Sequence, residues 1–174
     1  ETPAHLLDIK SETFGGWWTG YQSTGAIGID YTFNPLSQAT ANPYRFESVL
    51  FNNGAADQYN TTMHVEVESS GSSVWTGSSS PTTLYTNTND TLSTTTNFTP
   101  TSTGIHQVNF WASSDSFPTT DTIGRSTIVT DTVYGVDNDW ASDGANAGSG
   151  YYLGRSCGGQ VLGNAFDVYA QDEV

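Results

Sequence analysis

The chain has 174 residues, enough for one sandwich and a remainder but not for two large domains, and its 18 acidic residues against 4 basic ones give a formal charge of −14. A field of that sign repels phosphate backbones and anionic lipid heads, which argues against nucleic acid as a partner, and no stretch approaches the apolar length of a membrane span. Only 13% of residues are charged and 13% are aromatic, so Thr, Ser, Asn and Gly must do the solubilising while the rings bury enough area to offset ordering entropy; such a chain folds, and mainly as β structure.

In chain order, residues 3–10 read as an extended lead-in strand, because Leu6, Leu7 and Ile9 form no helical stripe. Residues 30–33 supply an early strand. Residues 44–51 form another, with Tyr44 and Phe46 on one face; Val49 and Phe51 have the opposite parity, and a β-bulge at Glu47 and Ser48 would return them to the core. Asn52-Asn53-Gly54 marks a turn, since Asn and Gly accept positive φ at least cost. The clearest strand spans residues 62–69: Met63, Val65 and Val67 face the core, His64, Glu66 and Glu68 the solvent. Shorter strands follow at 73–76 and 82–85, and a Thr-rich edge strand at 91–98 is ended by Pro100. Over 105–112, Val108, Phe110 and Ala112 oppose Gln107, Asn109 and Trp111. Pro118 breaks residues 113–121 into a turn region, and 127–134 closes the series with Val129 and Val133 as inward candidates.

Short alternating runs between Gly, Asn, Ser, Thr and Pro clusters predict an all-β fold: an immunoglobulin-like antiparallel β-sandwich over residues 25–134, after a partly extended lead-in of residues 1–24. Phe46, Val65, Val67, Val108 and Phe110 form the expected core, each worth roughly 1.5–3 kcal/mol of burial. Residues 135–174 are a Gly/Asp-rich extension anchored by Trp140, the start of an incomplete second β unit. It holds too few apolar residues to fold alone, so it is expected to dock on the sandwich or on another chain. Its end, directly after a strand-like run, suggests a unit that continues beyond.

Several stretches carry a family resemblance: Asp30-Tyr31-Thr32-Phe33-Asn34-Pro35-Leu36-Ser37-Gln38, Phe51-Asn52-Asn53-Gly54-Ala55, residues 62–67, Asp90-Thr91-Leu92, Phe98-Thr99-Pro100, residues 104–110 and residues 129–134, running into Gly135-Val136-Asp137-Asn138. This order of strand, Asn-Gly turn and strand resembles the immunoglobulin-like, CARDB-like sandwich modules of secreted Bacteroidota surface proteins, cargo of the type IX secretion route. Gly163-Asn164-Ala165-Phe166 is similar to the opening of the jelly-roll unit that often follows. The resemblance covers about two-thirds of the chain, and the family's usual C-terminal sorting domain is absent. It implies an extracellular or cell-surface place, a structural or adhesive role, and no catalytic residue to transfer.

The residues themselves point the same way. His5, His64 and His106 stand in no metal-ligand spacing, and His64 and His106 read as solvent-side histidines on strands. The loop Gly154-Arg155-Ser156-Cys157-Gly158-Gly159 holds the single cysteine, which permits no intrachain disulfide and has no base nearby in sequence to activate it. A carboxylate pair for glycoside hydrolysis is a matter of spatial, not sequential, proximity, and the acidic residues lie mostly beside turns. Asp137, Asp139 and Asp143, with Asn138 and Gly144, place several oxygen ligands in one loop, which suits Ca²⁺, the one cofactor the sequence suggests; the competing reading is an ordinary Asp/Asn turn. Trp17, Trp18 and Tyr21, flanked by Gly15, Gly16 and Gly20, could offer a stacking platform for sugar rings or simply cover one end of the sandwich; Trp75 and Trp111 are further candidates. Thr91, Thr122 and Thr132 sit in Asp-Thr-apolar triplets that resemble O-glycan acceptor sites of Bacteroidota, while Asn60, Asn89 and Asn97 head N-glycan sequons that matter only in a eukaryotic host.

The expectation is therefore a non-catalytic structural or adhesive module of a larger secreted protein. Its partners would be other chains, or the rest of its own polypeptide. The alternative is a carbohydrate-binding module, with polysaccharide as ligand, beside a secreted hydrolase.

Overall fold

A computed structural model of the chain describes residues 3–15, 18–19, 29–30, 33–133 and 168–171. In order they form β1 (Leu7–Gly15), β2 (Trp18–Thr19), β3 (Ile29–Asp30), β4 (Phe33–Pro35), α1 (Leu36–Ala41), β5 (Arg45–Asn52), β6 (Gln58–Ser69), β7 (Ser72–Ser78), β8 (Thr82–Leu84), β9 (Asn89–Ser93), β10 (Gly104–Ser113) and β11 (Ile123–Thr130). One sheet has the order β1-β5-β9. The other runs β4-β11-β10-β6-β7, with β8 beside the first half of β6, and β2 and β3 make a separate ribbon. The chain passes repeatedly between the two main sheets, from β4 to β5, β5 to β6, β8 to β9 and β9 to β10, in the manner of an immunoglobulin-like sandwich. Every pairing is antiparallel except β4 with β11. The first sheet takes its edge strand from the segment read as a lead-in, for β1 pairs with β5 along its length and buries Leu7.

The core lies between the sheets. Phe46 of the first sheet meets Phe110 of the second edge-on at 5.8 Å, Tyr44 stacks at 6.2 Å on Phe46, and Trp75 leans on Phe46 at 5.4 Å. Val65, Val67, Val108 and Phe110 are fully buried, as their alternation predicts. Trp75 thus belongs with the core rather than with an exposed platform. β6 and β7 are joined by Ser70 and Gly71, both at positive φ, the two-residue turn whose twist matches that of the strands.

Four local expectations are corrected. β5 has no bulge: Phe46, Ser48, Leu50 and Asn52 continue one inward parity, and Val49 and Phe51 stay half-buried on the outer face. The register shift lies across from it in β1, between Ile9 and Ser11. Gly54 is needed for close approach rather than for positive φ, since a Cβ there would stand 2.7 Å from the Ala4 carbonyl oxygen and 2.8 Å from the Leu6 nitrogen. Val133 is exposed, because β11 ends at Thr130 and Thr127 with Val129 fills the inward slots. His106 is buried, sharing the parity of Val108 and Phe110. Helix α1, absent from the sequence reading, follows Pro35, whose fixed φ of −59° suits a helix start.

Candidate functional site

The outer face of the second sheet carries the site. Antiparallel register sets Trp111 of β10 opposite His64 of β6, and Asn109 opposite Glu66. Continuing the second row, Glu66 faces Thr76 of β7 and Asn109 faces Gly124 of β11, over which the Gln107 amide lies. The wall comes from the loop between β10 and β11. Thr120 donates its N–H to the Ala112 carbonyl (2.8 Å) and accepts the Ala112 N–H on its hydroxyl (3.0 Å), which folds the loop back on β10. Glu66, Asn109, Trp111, Thr119 and Thr122 then line a shallow depression of about 350 Å³.

Trp111 is fixed in place by its neighbours. The imidazole of His64 stacks on the indole at 5.6 Å and 21°, and its Nε2 is 2.8 Å from the hydroxyl of Ser113, the next outward residue of β10. His64 does not line the depression, so it backs the ring from outside. Partial burial lowers its pKa below 6.5, which keeps the imidazole neutral at pH 7. Among the described residues, the side chains of Glu66, Asn109 and Thr122 and the indole N–H make no hydrogen bond to protein. One carboxylate, one amide, two hydroxyls and a held aromatic ring therefore converge with bonding capacity open. That set can grip a polyol; with Glu66 the one carboxylate in the lining, it lacks the paired carboxylates of glycoside hydrolysis.

The other histidines are engaged elsewhere. His106 packs against Phe98 at 5.6 Å, with Nδ1 3.2 Å from the Gly104 carbonyl; burial lowers its pKa, and the carbonyl contact opposes that in part. His5 meets the buried amide of Gln58 at 3.2 Å.

Of the sequence-singled residues, Trp17, Tyr21, Asp137, Asp139, Asp143 and Cys157 lie outside the described residues. Trp18 is described by its backbone alone, which pairs with Asp30 in the β2–β3 ribbon. Thr91 is exposed on the edge strand β9, Thr132 is exposed after β11, and Thr122, also exposed, borders the Trp111 depression. Asn89 and Asn97 are exposed, and Asn60 donates to Asp115 Oδ2 at 2.8 Å. Among the described residues no group of three or more His, Cys, Asp or Glu could hold a metal ion, and no helix is long and apolar enough to cross a membrane.

Outward placement of Glu66, Asn109 and Trp111 was readable from alternation. Thr119 and Thr122 were not singled out as part of a site with them, because only the return of the loop onto Ala112 brings them there, and nothing local in the sequence signals that.

A tether completes the picture. Gln38 of α1, buried, accepts the N–H groups of Tyr169 (2.7 Å) and Ala170 (2.9 Å) on Oε1 and donates from Nε2 to the Ala170 carbonyl (2.9 Å). Residues 168–171 of the extension thus dock on the chain's own sandwich.

No family model and no curated protein matches the chain. Among solved structures it is similar to the CARDB domain of the PF1109 protein of Pyrococcus furiosus, solved in complex with di-metal ions, at 14% identity over 75% of this chain and 90% of that one, with a TM-score of 0.43. A likeness at that level transfers neither those ions nor any role to this chain, whose described part is an immunoglobulin-like β-sandwich on the evidence of its own strand order.

Proposed function

We propose that the chain is a self-contained, non-catalytic recognition module of a larger extracellular protein, structural or adhesive in role, of the secreted surface-protein kind its sequence resembles. The observation that carries this reading is the Trp111 face: a rigid sheet presents an aromatic ring, backed by His64 and ringed by hydrogen-bonding groups of which, among the described residues, only the Thr119 hydroxyl donates to protein, with no base held against a nucleophile. The tether of residues 168–171 to Gln38 supports an extension that docks on its own sandwich rather than on a neighbouring chain. Of the two roles first expected, this face favours recognition of carbohydrate over passive spacing, because aromatic rings with adjacent polar groups suit a sugar's mixed surface.

The test is binding without turnover. The purified chain is incubated with envelope and matrix polysaccharides, esters and peptides, and each mixture is assayed for new reducing ends, carboxylates and amines, alongside retention on the same polymers. Retention with no product is the expected result. Product formation that is lost in Glu66→Gln would refute the non-catalytic reading.

A further inference from the structure

Resting on that recognition-module reading, we propose that the Trp111 depression binds one neutral pyranose residue of a polysaccharide, with an apolar C–H face of the sugar on the indole and its hydroxyls shared between Glu66, Asn109 and the threonines 119 and 122.

The ligand class follows from exclusion and fit. An anion is disfavoured: the chain carries −14, a carboxylate lines the site, and the guanidinium nearest in register, Arg125, pairs with inward-facing Val108 and so has the parity of the opposite face. A hard cation is held more tightly the more carboxylates surround it, and the lining has one, which disfavours a metal ion. An extended peptide adds to a free strand edge, whereas β10 and β6 are hydrogen-bonded on both sides. What remains must be uncharged, flat and apolar on one side, and dense in groups that both donate and accept. A carboxylate accepts from two neighbouring hydroxyls; an amide donates and accepts; the Thr122 hydroxyl does either, and that of Thr119, which donates to the Thr120 carbonyl, accepts. A volume of about 350 Å³ sits at the low end for ligand sites, room for one ring rather than a chain of them. Beyond Asn109 the Gln107 amide lies over Gly124, its Nε2 2.7 Å from where a Cβ would stand, so it adds a polar group beside the row at that end.

The site is preorganised, since His64 and Ser113 hold the ring before any ligand arrives. It is also shallow and wet, so affinity for one residue is weak and avidity would come from repeated modules on one polymer.

The experiment is a titration of the full chain with neutral gluco-, manno-, galacto- and xylo-oligosaccharides, followed by the indole N–H resonances of tryptophan and by calorimetry. Polyuronate and chitosan oligomers serve as charged comparators. We expect saturable binding of at least one neutral oligosaccharide that shifts the Trp111 indole signal and is insensitive to salt. Trp111→Ala and Glu66→Gln should each weaken it by about tenfold or more, the size expected for a lost ring contact or a lost charge-assisted hydrogen bond. Tyr85→Ala, which removes an exposed ring outside the lining, should leave it unchanged. Glu66→Gln changes no packing, and melting curves show whether Trp111→Ala remains folded. Failure of every neutral sugar to move the Trp111 signal overturns the proposal. Neutral-sugar binding that survives both site variants overturns it too but leaves the recognition-module reading standing. Salt-sensitive binding of charged oligomers alone overturns the ligand class, and turnover of any ligand overturns the underlying reading instead.

Discussion

The tether between α1 and the extension can be tested by a double-mutant cycle. Gln38 makes three hydrogen bonds to the backbone of Tyr169 and Ala170, each 2.7–2.9 Å long, from a buried position. Neutral hydrogen bonds contribute a net of about 0.5–1.5 kcal/mol each, so Gln38→Ala should destabilise the chain by about 1.5–4.5 kcal/mol. Near the middle of that range the melting temperature of a domain this size falls by about 6–12 °C. The assay is urea and thermal unfolding of four proteins: wild type, Gln38→Ala, a chain lacking residues 168–174, and the combination. If the tether is the cause, Gln38→Ala has little further effect once residues 168–174 are gone, and the coupling energy equals most of the single-mutant loss. Gln38→Glu adds a signed check. A carboxylate can still accept the Tyr169 and Ala170 N–H groups, but its second oxygen faces the Ala170 carbonyl and its charge is buried. Its folded-state pKa must then rise above the unfolded value, the folded state binds the extra proton, and stability should recover as pH falls and the carboxyl becomes a donor. Equal destabilisation by Gln38→Ala in the full and shortened chains would refute the reasoning, for Gln38 would then be stabilising α1 alone.

Other consequences are simpler. Asn52→Ala removes two donations, to the Ala56 and Leu84 carbonyls (2.9 Å each), and one acceptance from the Gly54 N–H (3.0 Å); it should cost about 2–4 kcal/mol, read as a lower urea midpoint at unchanged slope. Ser48→Ala should be neutral or stabilising by up to about 1 kcal/mol in the same assay, because the Ser48 hydroxyl is buried with no partner among the described residues. His106 has a folded pKa below its unfolded 6.5, so its contribution is fully present above 6.5 and is lost as pH falls from there through the lower folded value. The decline in melting temperature between about pH 7.5 and 5.5 should therefore be shallower in His106→Phe than in wild type.

The sequence was most legible where alternation was chemically sharp. Over β6 and β10, Val, Met and Phe alternate with Glu, His, Asn and Gln, and the two strands pair as such a pattern requires. It was least legible where parity and polarity disagree. β5 turns Ser48 and Asn52 inward and Val49 and Phe51 outward, so hydrophobicity alone suggested a bulge that is absent. His106 misled for the same reason: its position in the alternation marks it as interior, and its polarity suggested solvent. Contacts distant in sequence could not be read at all. The loop that walls the Trp111 depression and the tether of residues 168–171 to Gln38 depend on hydrogen bonds between segments that carry no mutual signal in a single sequence.

These failures share one cause. A chain with four cations against 18 acidic residues has few ion pairs with which to pin its loops, and the Arg45–Glu47 pair at 3.1 Å is a partly exposed contact within one strand. Loops are fastened by buried uncharged groups instead. Gln38 holds the extension, Asn52 binds the 52–56 turn to Leu84, Gln58 accepts from Ser114 at 2.6 Å, and Asn34 donates to Tyr44 at 2.7 Å and Thr127 at 3.1 Å. Burial pushes the Tyr44 hydroxyl up to about 12, outweighing these bonds, so that fastening also stays uncharged across the working pH range. Fasteners of this kind occupy inward slots that a hydrophobic pattern assigns to Val or Leu. They are little screened by salt, unlike surface ion pairs. The same economy of charge shapes the Trp111 face, where the proposed recognition would rest on a ring, an amide and hydroxyls around one carboxylate. Stability and ligand binding should accordingly share a weak dependence on ionic strength. A steep salt dependence of binding with a flat one for unfolding would mean that the two do not draw on the same chemistry.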